Sequence, residues 1–268
     1  MASIDELGGR HLIIGGGNLG IDLHLALTNA GYEADIYTAK SGFGYPKNTV
    51  RELPLELAKW VWVTVGAGSV GEAKKSFLPF IDLHLRLIAD LRENLTPDVN
   101  LVCFSSDYAV GEPQSLYALS KKMMEDYVNK LPLKNTWVVR VGSLYGTHKP
   151  DTCFPSKIRR NFESNPLPIT LPSNKVQPTP TAWVAQTLVK SFAVIDRLKS
   201  VFNKNLNMSP CDNITLSQWA NLAIPEGKFI EGNLDIERPT ASLIGNDFIL
   251  PTPGCAELWR KYGKDFNW

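Results

Sequence analysis

The feature that most constrains the fold is a short apolar run near the N-terminus that ends in glycines. Residues 11–15 predict a buried strand, and residues 18–30, with apolar side chains at helical spacing, predict a helix. Between them, Gly15, Gly17 and Gly20 form a Gly-x-Gly-x-x-Gly pattern. Such a turn packs strand and helix closely and leaves backbone N–H groups at the helix start for a phosphate group. The pattern therefore predicts a dinucleotide-binding loop.

The rest of the first half continues this alternation of strand and helix patterns. Strands that alternate with helices are joined by right-handed crossovers, which place the strands parallel in one sheet covered on both faces. We therefore expect an α/β protein with a Rossmann-type, doubly wound parallel sheet. The further strands are predicted at residues 34–38, 49–53, 60–65, 100–104 and 136–141, and the further helices at residues 77–93 and 116–129.

Beyond residue 147 the sequence becomes rich in proline and irregular. Helical patterns interrupt it at residues 181–199 and again from about residue 215. No internal repeat is visible, which disfavours a solenoid. The predicted domains are a Rossmann domain over residues 1–147, completed by residues 181–210, and a smaller C-terminal lobe over residues 148–180 and 211–268.

Charge and composition exclude several classes of partner. The chain has 28 Lys and Arg against 27 Asp and Glu, so its net charge of +1 gives no general attraction to nucleic acid or to an anionic membrane. No uninterrupted apolar stretch approaches the roughly 18 residues of a membrane span, and the acidic N-terminus does not fit an export signal. Scattered histidines and four separated cysteines predict no metal site. We expect a cytoplasmic protein.

The end of the second predicted strand bears on the choice between NAD and NADP. An acidic side chain at this place accepts a hydrogen bond from the adenosine ribose and repels a 2′-phosphate. Here the strand ends at Thr38, and Lys40 follows. A hydroxyl and a cation favour NADP(H), with NAD(H) as the alternative. Asp35 would be the acid if the strand register were different, and Lys40 could equally be an ordinary surface lysine.

A tyrosine and a lysine share one face of a predicted helix. Tyr117 and Lys121 are four residues apart in the helix at residues 116–129, and Ser106 follows the preceding strand. A nearby cation stabilises a phenolate, so we expect Lys121 to lower the pKa of Tyr117 and allow proton exchange near neutral pH. Ser106 would hold and polarise a carbonyl or alcohol. The alternative is an exposed helix whose tyrosine packs and whose lysine is solvated.

Several segments recur in an order that is typical of a known family. Together they resemble the extended short-chain dehydrogenases/reductases, and within that family the dTDP-4-dehydrorhamnose reductases. The resemblance extends over nearly the whole chain. The segments that support it are residues 15–20, 105–108 (Ser-Ser-Asp-Tyr), 117–121, 139–146 (Val-Arg-Val-Gly-Ser-Leu-Tyr-Gly), 181–185, 206–209, 214–217 and 238–243.

The chain also departs from the pattern of that family in three places. Extended members usually space their glycines as Gly-x-x-Gly-x-x-Gly, whereas residue 14 is Ile here. Residues 65–68 replace a His/Asn-Ala-Ala-like segment after a central strand. Tyr117 follows Ser106 after only 11 positions, where sugar-nucleotide members commonly insert a longer loop over the substrate. The last departure predicts a more open site.

The resemblance implies a role for individual residues. It makes Ser106, Tyr117 and Lys121 the catalytic residues, and the lobe after residue 147 the place where a nucleotide-sugar is bound. Guanidinium groups suit phosphate oxygens, so Arg159, Arg160 and Arg238 are candidates for its diphosphate, with ordinary surface arginines as the alternative. The expected cofactor-binding residues are Gly15, Gly17, Asn18, Leu19, Gly20, Thr38, Lys40, Gly66, Tyr117 and Lys121.

The function that the sequence predicts is that of an NADP(H)-dependent oxidoreductase. It would transfer hydride at a 4-keto or 4-hydroxy carbon of a nucleotide-activated sugar, with Tyr117 as general acid or base. One alternative is a nucleotide-sugar epimerase of the same family, and another is a regulatory subunit that binds NADP without chemistry. The apolar face of residues 83–91 leaves two further interpretations, a homodimer contact or burial against the sheet of the same chain.

Overall fold

The computed structural model describes residues 8–39, 42–66, 68–133, 135–164, 168–193, 205–232 and 252–264. The strands, in chain order, are β1 (Arg10–Ile14), β2 (Ala34–Tyr37), β3 (Ala58–Val63), β4 (Asn100–Ser106), β5 (Asn135–Val141), β6 (Ser143–Tyr145), β7 (Ile169–Pro172), β8 (Lys175–Val176), β9 (Pro178–Pro180), β10 (Asn205–Met208), β11 (Ile214–Thr215) and β12 (Phe229–Gly232). The helices are α1 (Asn18–Asn29), α2 (Val70–Lys75), α3 (Leu78–Ile81), α4 (Leu87–Asn94), α5 (Leu116–Val128), α6 (Phe154–Ser164), α7 (Thr181–Phe192), α8 (Leu216–Ala223) and α9 (Cys255–Tyr262).

Six of the strands form one sheet, in the order β10-β5-β4-β3-β1-β2. Every neighbouring pair in it is parallel. Both faces of the sheet are covered, as a parallel sheet requires, and the strands accordingly have apolar residues on both sides. The predicted Rossmann-type α/β fold is confirmed.

The two faces of the sheet have different cores. On one face the rings of Trp60, Trp62 and Trp137 stack on one another, and Phe192 of α7 meets each of them edge-on. On the other face aliphatic residues of α4 and α5 pack against the central strands. The apolar residues Leu87, Ile88 and Leu91 of α4 are fully buried there, so this part of the face predicted at residues 83–91 packs on the chain's own sheet.

A third apolar cluster lies in the C-terminal part of the chain. It is built around Tyr145, Trp219 and Trp259 and includes residues of α6, α8 and α9. Three two-stranded pairs, β11 with β8, β12 with β7 and β6 with β9, accompany it. The sequence pattern predicted irregular structure here and missed α6. The division into two domains near residue 147 stays a prediction.

One predicted strand is wrong. Residues 49–53 form a 3₁₀ turn, Val50–Glu52, instead of a strand. Thr49 and Glu52 close this turn with a capping box, in which the Glu52 carboxylate accepts a hydrogen bond from the Thr49 backbone N–H (3.0 Å). Because residues 49–53 form no strand, β2 lies at the edge of the sheet, and β3, the next strand among the described residues, lies on the other side of β1.

The predicted helix at residues 77–93 is present but irregular. It consists of α3, a π-helical segment (Asp82–Arg86) and α4 without interruption. The helix predicted at residues 181–199 is α7 as far as Phe192, and residues 194–199 lie outside the described residues. No helix among the described residues is long and apolar enough to cross a membrane.

Candidate active site

The sheet reverses its strand order at β1, because β2 lies on one side of β1 and β3 on the other. In open α/β sheets, ligands bind in the crevice that such a reversal opens at the carboxyl ends of the strands. A cavity of about 750 Å³ lies there, bordered by the residues that follow β3, β4 and β5. The predicted site residues that line this cavity are Leu19, Gly66, Ser106, Tyr117 and Lys121.

The glycine loop joins β1 to α1 at the edge of this crevice. Gly15 has a φ of +124°, which favours glycine, and a Cβ on Gly20 would collide with the Gly15 carbonyl oxygen. A Cβ on Gly17, by contrast, would meet no atom of the described residues within 4 Å. Backbone conformation therefore favours glycine at Gly15, and packing requires it at Gly20. At Gly17 the absence of a side chain instead leaves an empty space next to the backbone.

The start of α1 has the properties of an anion site. Gly17 is its N-cap and makes no side-chain capping bond, and the first turn contains no acidic residue. The N–H groups of that turn and the positive end of the helix dipole therefore face a space that an anionic group can enter. This donor set and the space at Gly17 fit the pyrophosphate of a dinucleotide.

Thr38 directly follows β2 and lies against the glycine loop. Its Cγ2 atom occupies the position that a Cβ on Gly16 would need. Asp35 lies near the other end of β2, opposite Leu12, and binds the Arg10 guanidinium at 2.6 Å. The alternative register that would bring Asp35 to the ribose position is therefore wrong. Lys40 lies outside the described residues.

Two side chains of α1 contact the loop after β6. Asn18 accepts a hydrogen bond from the Lys149 backbone N–H (2.6 Å) and donates one to the Lys149 carbonyl (3.2 Å). One turn further on, the Asp22 carboxylate binds both the His148 ring (3.0 Å) and the Thr181 hydroxyl. The side chain of Asn18, a predicted cofactor residue, thus holds the backbone of the second half of the chain.

Ser106, Tyr117 and Lys121 come from two elements that meet at one wall of the cavity. Ser106 is the last residue of β4, and Tyr117 and Lys121 lie on α5, whose N-cap Ser115 accepts a hydrogen bond from the Ala118 N–H (3.1 Å). The Ser106 side chain acts to lower the pKa of Tyr117, so the two side chains are neighbours, and all three residues line the cavity. The structure therefore brings the three predicted residues together.

Lys121 is a buried cation with a backbone partner. Its side chain is 5% exposed, and its ammonium donates to the Phe104 carbonyl at 2.9 Å. Burial lowers the pKa of Lys121 to about 8, and the neighbouring Cys103 and Glu125 oppose that shift. Lys121 is therefore a cation that can lose its proton only slightly above neutral pH.

The electrostatics of Tyr117 differ from the expectation. Burial and the neighbouring Asp107 raise the pKa of Tyr117 above its ordinary value, and the nearby Ser106 hydroxyl opposes this only in part. The expected lowering by Lys121 is thus wrong for this structure. The reason is that Lys121 points to Phe104, while the charge that acts on the phenol is negative. Tyr117 is a neutral phenol at neutral pH.

Asp107 is a site residue that the sequence analysis did not single out. It is 3% exposed, lines the cavity, and accepts hydrogen bonds from the Ser106 hydroxyl (2.7 Å) and the Tyr108 N–H (3.0 Å). A serine hydroxyl has one hydrogen, so while Ser106 donates to Asp107 it cannot donate to any other group. The position of Asp107 next to Ser106 in the sequence is the signal that could have identified it as a site residue.

Two of the arginines predicted for a diphosphate are not at this cavity. Arg159 pairs with Glu163 (3.6 Å) and Glu226 (3.4 Å), and Arg160 donates to the Asp151 carbonyl (3.0 Å). The face of α6 that borders the cavity instead presents Phe154 and Lys157, one helical turn apart. Arg238 lies outside the described residues.

Two lysines that the sequence analysis did not single out lie at the cavity. Lys74 of α2 and Lys157 of α6 both line it. The Ser-x-x-Glu capping pattern at residues 69–72 could have revealed α2 in advance, since Ser69 and Glu72 form a capping box. Among the described residues no group of three His, Cys, Asp or Glu side chains could hold a metal ion.

The chain shares its fold with solved structures of dTDP-4-dehydrorhamnose reductases and UDP-sugar epimerases. A dTDP-4-dehydrorhamnose reductase from Clostridium acetobutylicum is 17% identical, with a TM-score of 0.71 over 95% of this chain and 98% of that one. The Yersinia enterocolitica dTDP-4-dehydrorhamnose reductase is 15% identical, with a TM-score of 0.77 over 97% and 100%. No protein-family model and no curated protein sequence matches the chain.

A third solved structure contains ligands. It is the UDP-glucuronic acid 4-epimerase from Bacillus cereus in complex with UDP-glucuronic acid and NAD. That chain is 13% identical, with a TM-score of 0.70 over 96% of this chain and 98% of that one. At such identities the likeness establishes the shared fold, and the resemblance predicted from the sequence is confirmed at that level.

The first prediction concerns Asp107. Asp107→Asn keeps an oxygen that can accept from Ser106 but removes the negative charge near Tyr117, so the pKa of Tyr117 should fall and the phenolate fraction at a given pH should rise roughly tenfold. NMR of protein labelled with [¹³Cζ]tyrosine, with Tyr117→Phe to assign the resonance, measures this titration. Glu112→Gln, an exposed change in the loop between β4 and α5, is the matched control. An unaltered Tyr117 titration in Asp107→Asn would refute the electrostatic role.

Proposed function

We propose that the protein is an oxidoreductase that transfers hydride between a bound nicotinamide dinucleotide and a carbonyl carbon of a nucleotide-activated sugar. The observation that supports it is the meeting of Ser106, Tyr117 and Lys121 at one cavity wall, beside a glycine loop at the strand-order reversal. The structural likeness to reductases and epimerases that act on such sugars supports the same substrate class.

The residues of the chain have separate tasks in this proposal. The N–H groups at the start of α1 bind the pyrophosphate, and the space at Gly17 lets it approach the backbone. The nicotinamide, when bound, supplies or accepts the hydride. Lys121 lies at the same wall, where its ammonium orients hydroxyl groups of the ribose and raises the local positive potential.

Proton transfer falls to Tyr117. Its phenol gives a proton to the carbonyl oxygen as hydride reaches the carbon, so that no free alkoxide forms. Ser106 supports the same oxygen once its hydroxyl turns from Asp107 to the substrate. The hydrogen bond to Asp107 therefore competes with the substrate for the only hydrogen of Ser106, and binding of the carbonyl must replace it.

The charge around Tyr117 favours reduction as the working direction. Burial and Asp107 keep the phenol protonated, so Tyr117 is present in the form that can donate a proton to a ketone. An epimerase begins by oxidising an alcohol, which requires Tyr117 as a base in its phenolate form. We therefore propose a reductase acting on a 4-keto group, with NADPH as the donor because Thr38 and Lys40 follow β2.

Positive charge at the cavity suits an anionic substrate. Lys74 and Lys157 line it from α2 and α6. Ammonium groups at the rim of a cavity attract and hold phosphate groups. This arrangement supports a sugar that carries a nucleoside diphosphate.

The central test is turnover. Purified protein mixed with NADPH and a panel of nucleotide 4-ketosugars should consume NADPH, followed as the loss of nicotinamide absorbance. Tyr117→Phe should lower kcat by roughly 10² to 10⁴, the range for loss of a general acid, while NADPH binding is retained. Tyr127→Phe, on the same helix, is the control. Tight NADPH binding without consumption by any ketosugar would instead identify a non-catalytic subunit.

A second test separates cofactor binding from folding. Gly17→Ala places a methyl group where the described part of the chain has no atom within 4 Å and where the backbone is extended, so the melting temperature should change little. The methyl group should nevertheless weaken NADPH binding roughly tenfold or more, because it occupies the space left for the pyrophosphate. Gly20→Ala is the contrast, since it should destabilise the fold. Unchanged NADPH affinity in Gly17→Ala, measured by calorimetry, would contradict the assigned loop.

The third test addresses the choice of cofactor. Lys40→Glu replaces a cation that follows β2 in the sequence with a carboxylate, which at the ribose position would repel a 2′-phosphate and accept from a 2′-hydroxyl. The ratio of NADPH to NADH affinity should therefore fall roughly tenfold or more. Lys47→Glu, an exposed change of the same charge in the following segment, should leave the ratio unaltered. If the ratio of NADPH to NADH affinity were the same in both variants and in wild type, the assignment of Lys40 to the cofactor site would be wrong.

A further inference from the structure

A buried histidine lies behind the wall that holds Tyr117 and Lys121. His84 is 1% exposed and belongs to the π-helical segment Asp82–Arg86 between α3 and α4. A π-helical segment inserts a residue into a helix, costs stability, and is frequent at functional sites. His84 takes no part in the proposed proton transfer, and it belongs to no group of metal-binding side chains among the described residues. Another physical reason must explain why a histidine is buried here.

The hydrogen bonds of His84 determine its tautomer. Its Nδ1 lies 3.0 Å from the Ser120 hydroxyl, and that hydroxyl donates to the Tyr117 carbonyl oxygen at 2.8 Å. Because Ser120 has a single hydroxyl hydrogen, it must accept from His84, and Nδ1 therefore bears the proton. Burial and the charge of Lys121 lower the pKa of His84 to about 2, which keeps the ring neutral.

This chain of bonds ends on the backbone of the proposed proton donor. Ser120 is itself fully buried and lies between Tyr117 and Lys121 on the first two turns of α5. The link from His84 through Ser120 to the Tyr117 carbonyl therefore fixes the backbone from which both side chains project. A helix that only packed here would require no polar connection at this point.

The Tyr117 ring also packs against the helical stretch that contains His84. Phe80 and His84, one turn apart on α3 and the π-helical segment, meet it edge-on with ring centroids 6.0 and 6.3 Å away. Edge-to-face contacts of this kind restrict the tilt of a ring. His84 thus contacts Tyr117 twice, once through the ring and once through Ser120.

We propose that His84 is a positioning residue, which acts through Ser120 and the Tyr117 ring to hold the phenol and the Lys121 ammonium in register at the cavity. This assignment rests on the proposed function, in which Tyr117 donates the proton. His84 belongs to the π-helical segment, and that segment packs against α5. The remaining ring nitrogen, Nε2, has no hydrogen-bond partner in the described part of the chain, so Nδ1 alone makes the polar link.

A matched pair of substitutions tests the proposal. Asn and Leu are nearly isosteric, but only His84→Asn offers an N–H near the position of Nδ1. His84→Leu should lower kcat roughly 10- to 100-fold with KM and NADPH affinity little changed, since misplacing a reacting group costs rate more than binding. His84→Asn should restore kcat to within about threefold of wild type. Ser120→Ala should resemble His84→Leu, and the double variant should be no slower than either single one.

A second readout does not depend on turnover. In [¹³Cζ]tyrosine-labelled protein, the Tyr117 resonance should shift or broaden in His84→Leu and Ser120→Ala and keep its wild-type position in His84→Asn. If none of the ketosugars causes wild-type protein to consume NADPH, the proposed function fails. The Tyr117 resonance in the three variants still tests the positioning role in that case. A lower melting temperature in both His84 variants, with kcat and the Tyr117 resonance unaltered, would reduce His84 to a packing residue and overturn the proposal.

Discussion

The site depends on the parallel pairing of β1 with β2 on one side and with β3 on the other. Parallel strands end on the same edge of a sheet, so the residues that follow β1, β3, β4 and β5 are brought together although they are far apart in the sequence. The reversal at β1 separates the helices on either side and leaves the crevice open. Without that pairing the glycine loop, Ser106 and α5 would share no surface.

Within that crevice, burial acts on two neighbouring groups in opposite directions. It lowers the pKa of the Lys121 ammonium and raises the pKa of the Tyr117 phenol, since in each case the neutral form loses less on leaving water. The orientation of Lys121 toward Phe104 and the nearness of Asp107 to Tyr117 then decide that the phenol stays protonated. A pair of residues four apart on a helix is therefore not enough to define an acid or a base.

Much of the fold could be predicted from the sequence because its causes are local. The strands at residues 11–15, 60–65 and 136–141 are apolar runs bounded by turns, and the glycine loop lies where such a run meets a helical pattern. The proximity of Ser106 to Tyr117 and Lys121 could also be predicted from the sequence. Residues four apart share one face of a helix, and Ser106 lies at the end of the strand that precedes this helix. The sequence thus predicted which elements border the site.

What could not be predicted depends on side-chain direction and on contacts between distant segments. The prolines at residues 150 and 155 obscured α6, and without the start of that helix nothing indicated that Lys157 rather than Arg159 faces the cavity. The apparent strand at residues 49–53 is a capped turn, because Thr49 and Glu52 satisfy the backbone locally. The direction of the Tyr117 pKa required the position of Asp107.

The contacts that α1 makes beyond β6 have a mechanical consequence. Asn18 and Asp22 hold the backbone of Lys149, the ring of His148 and the hydroxyl of Thr181, while the N–H groups of the same first turn face the crevice. Widening the crevice by rotating the C-terminal half away would first break these bonds. The resistance to such a rotation is therefore concentrated in the side chains of a single helix, whose first-turn N–H groups would also hold a bound anion.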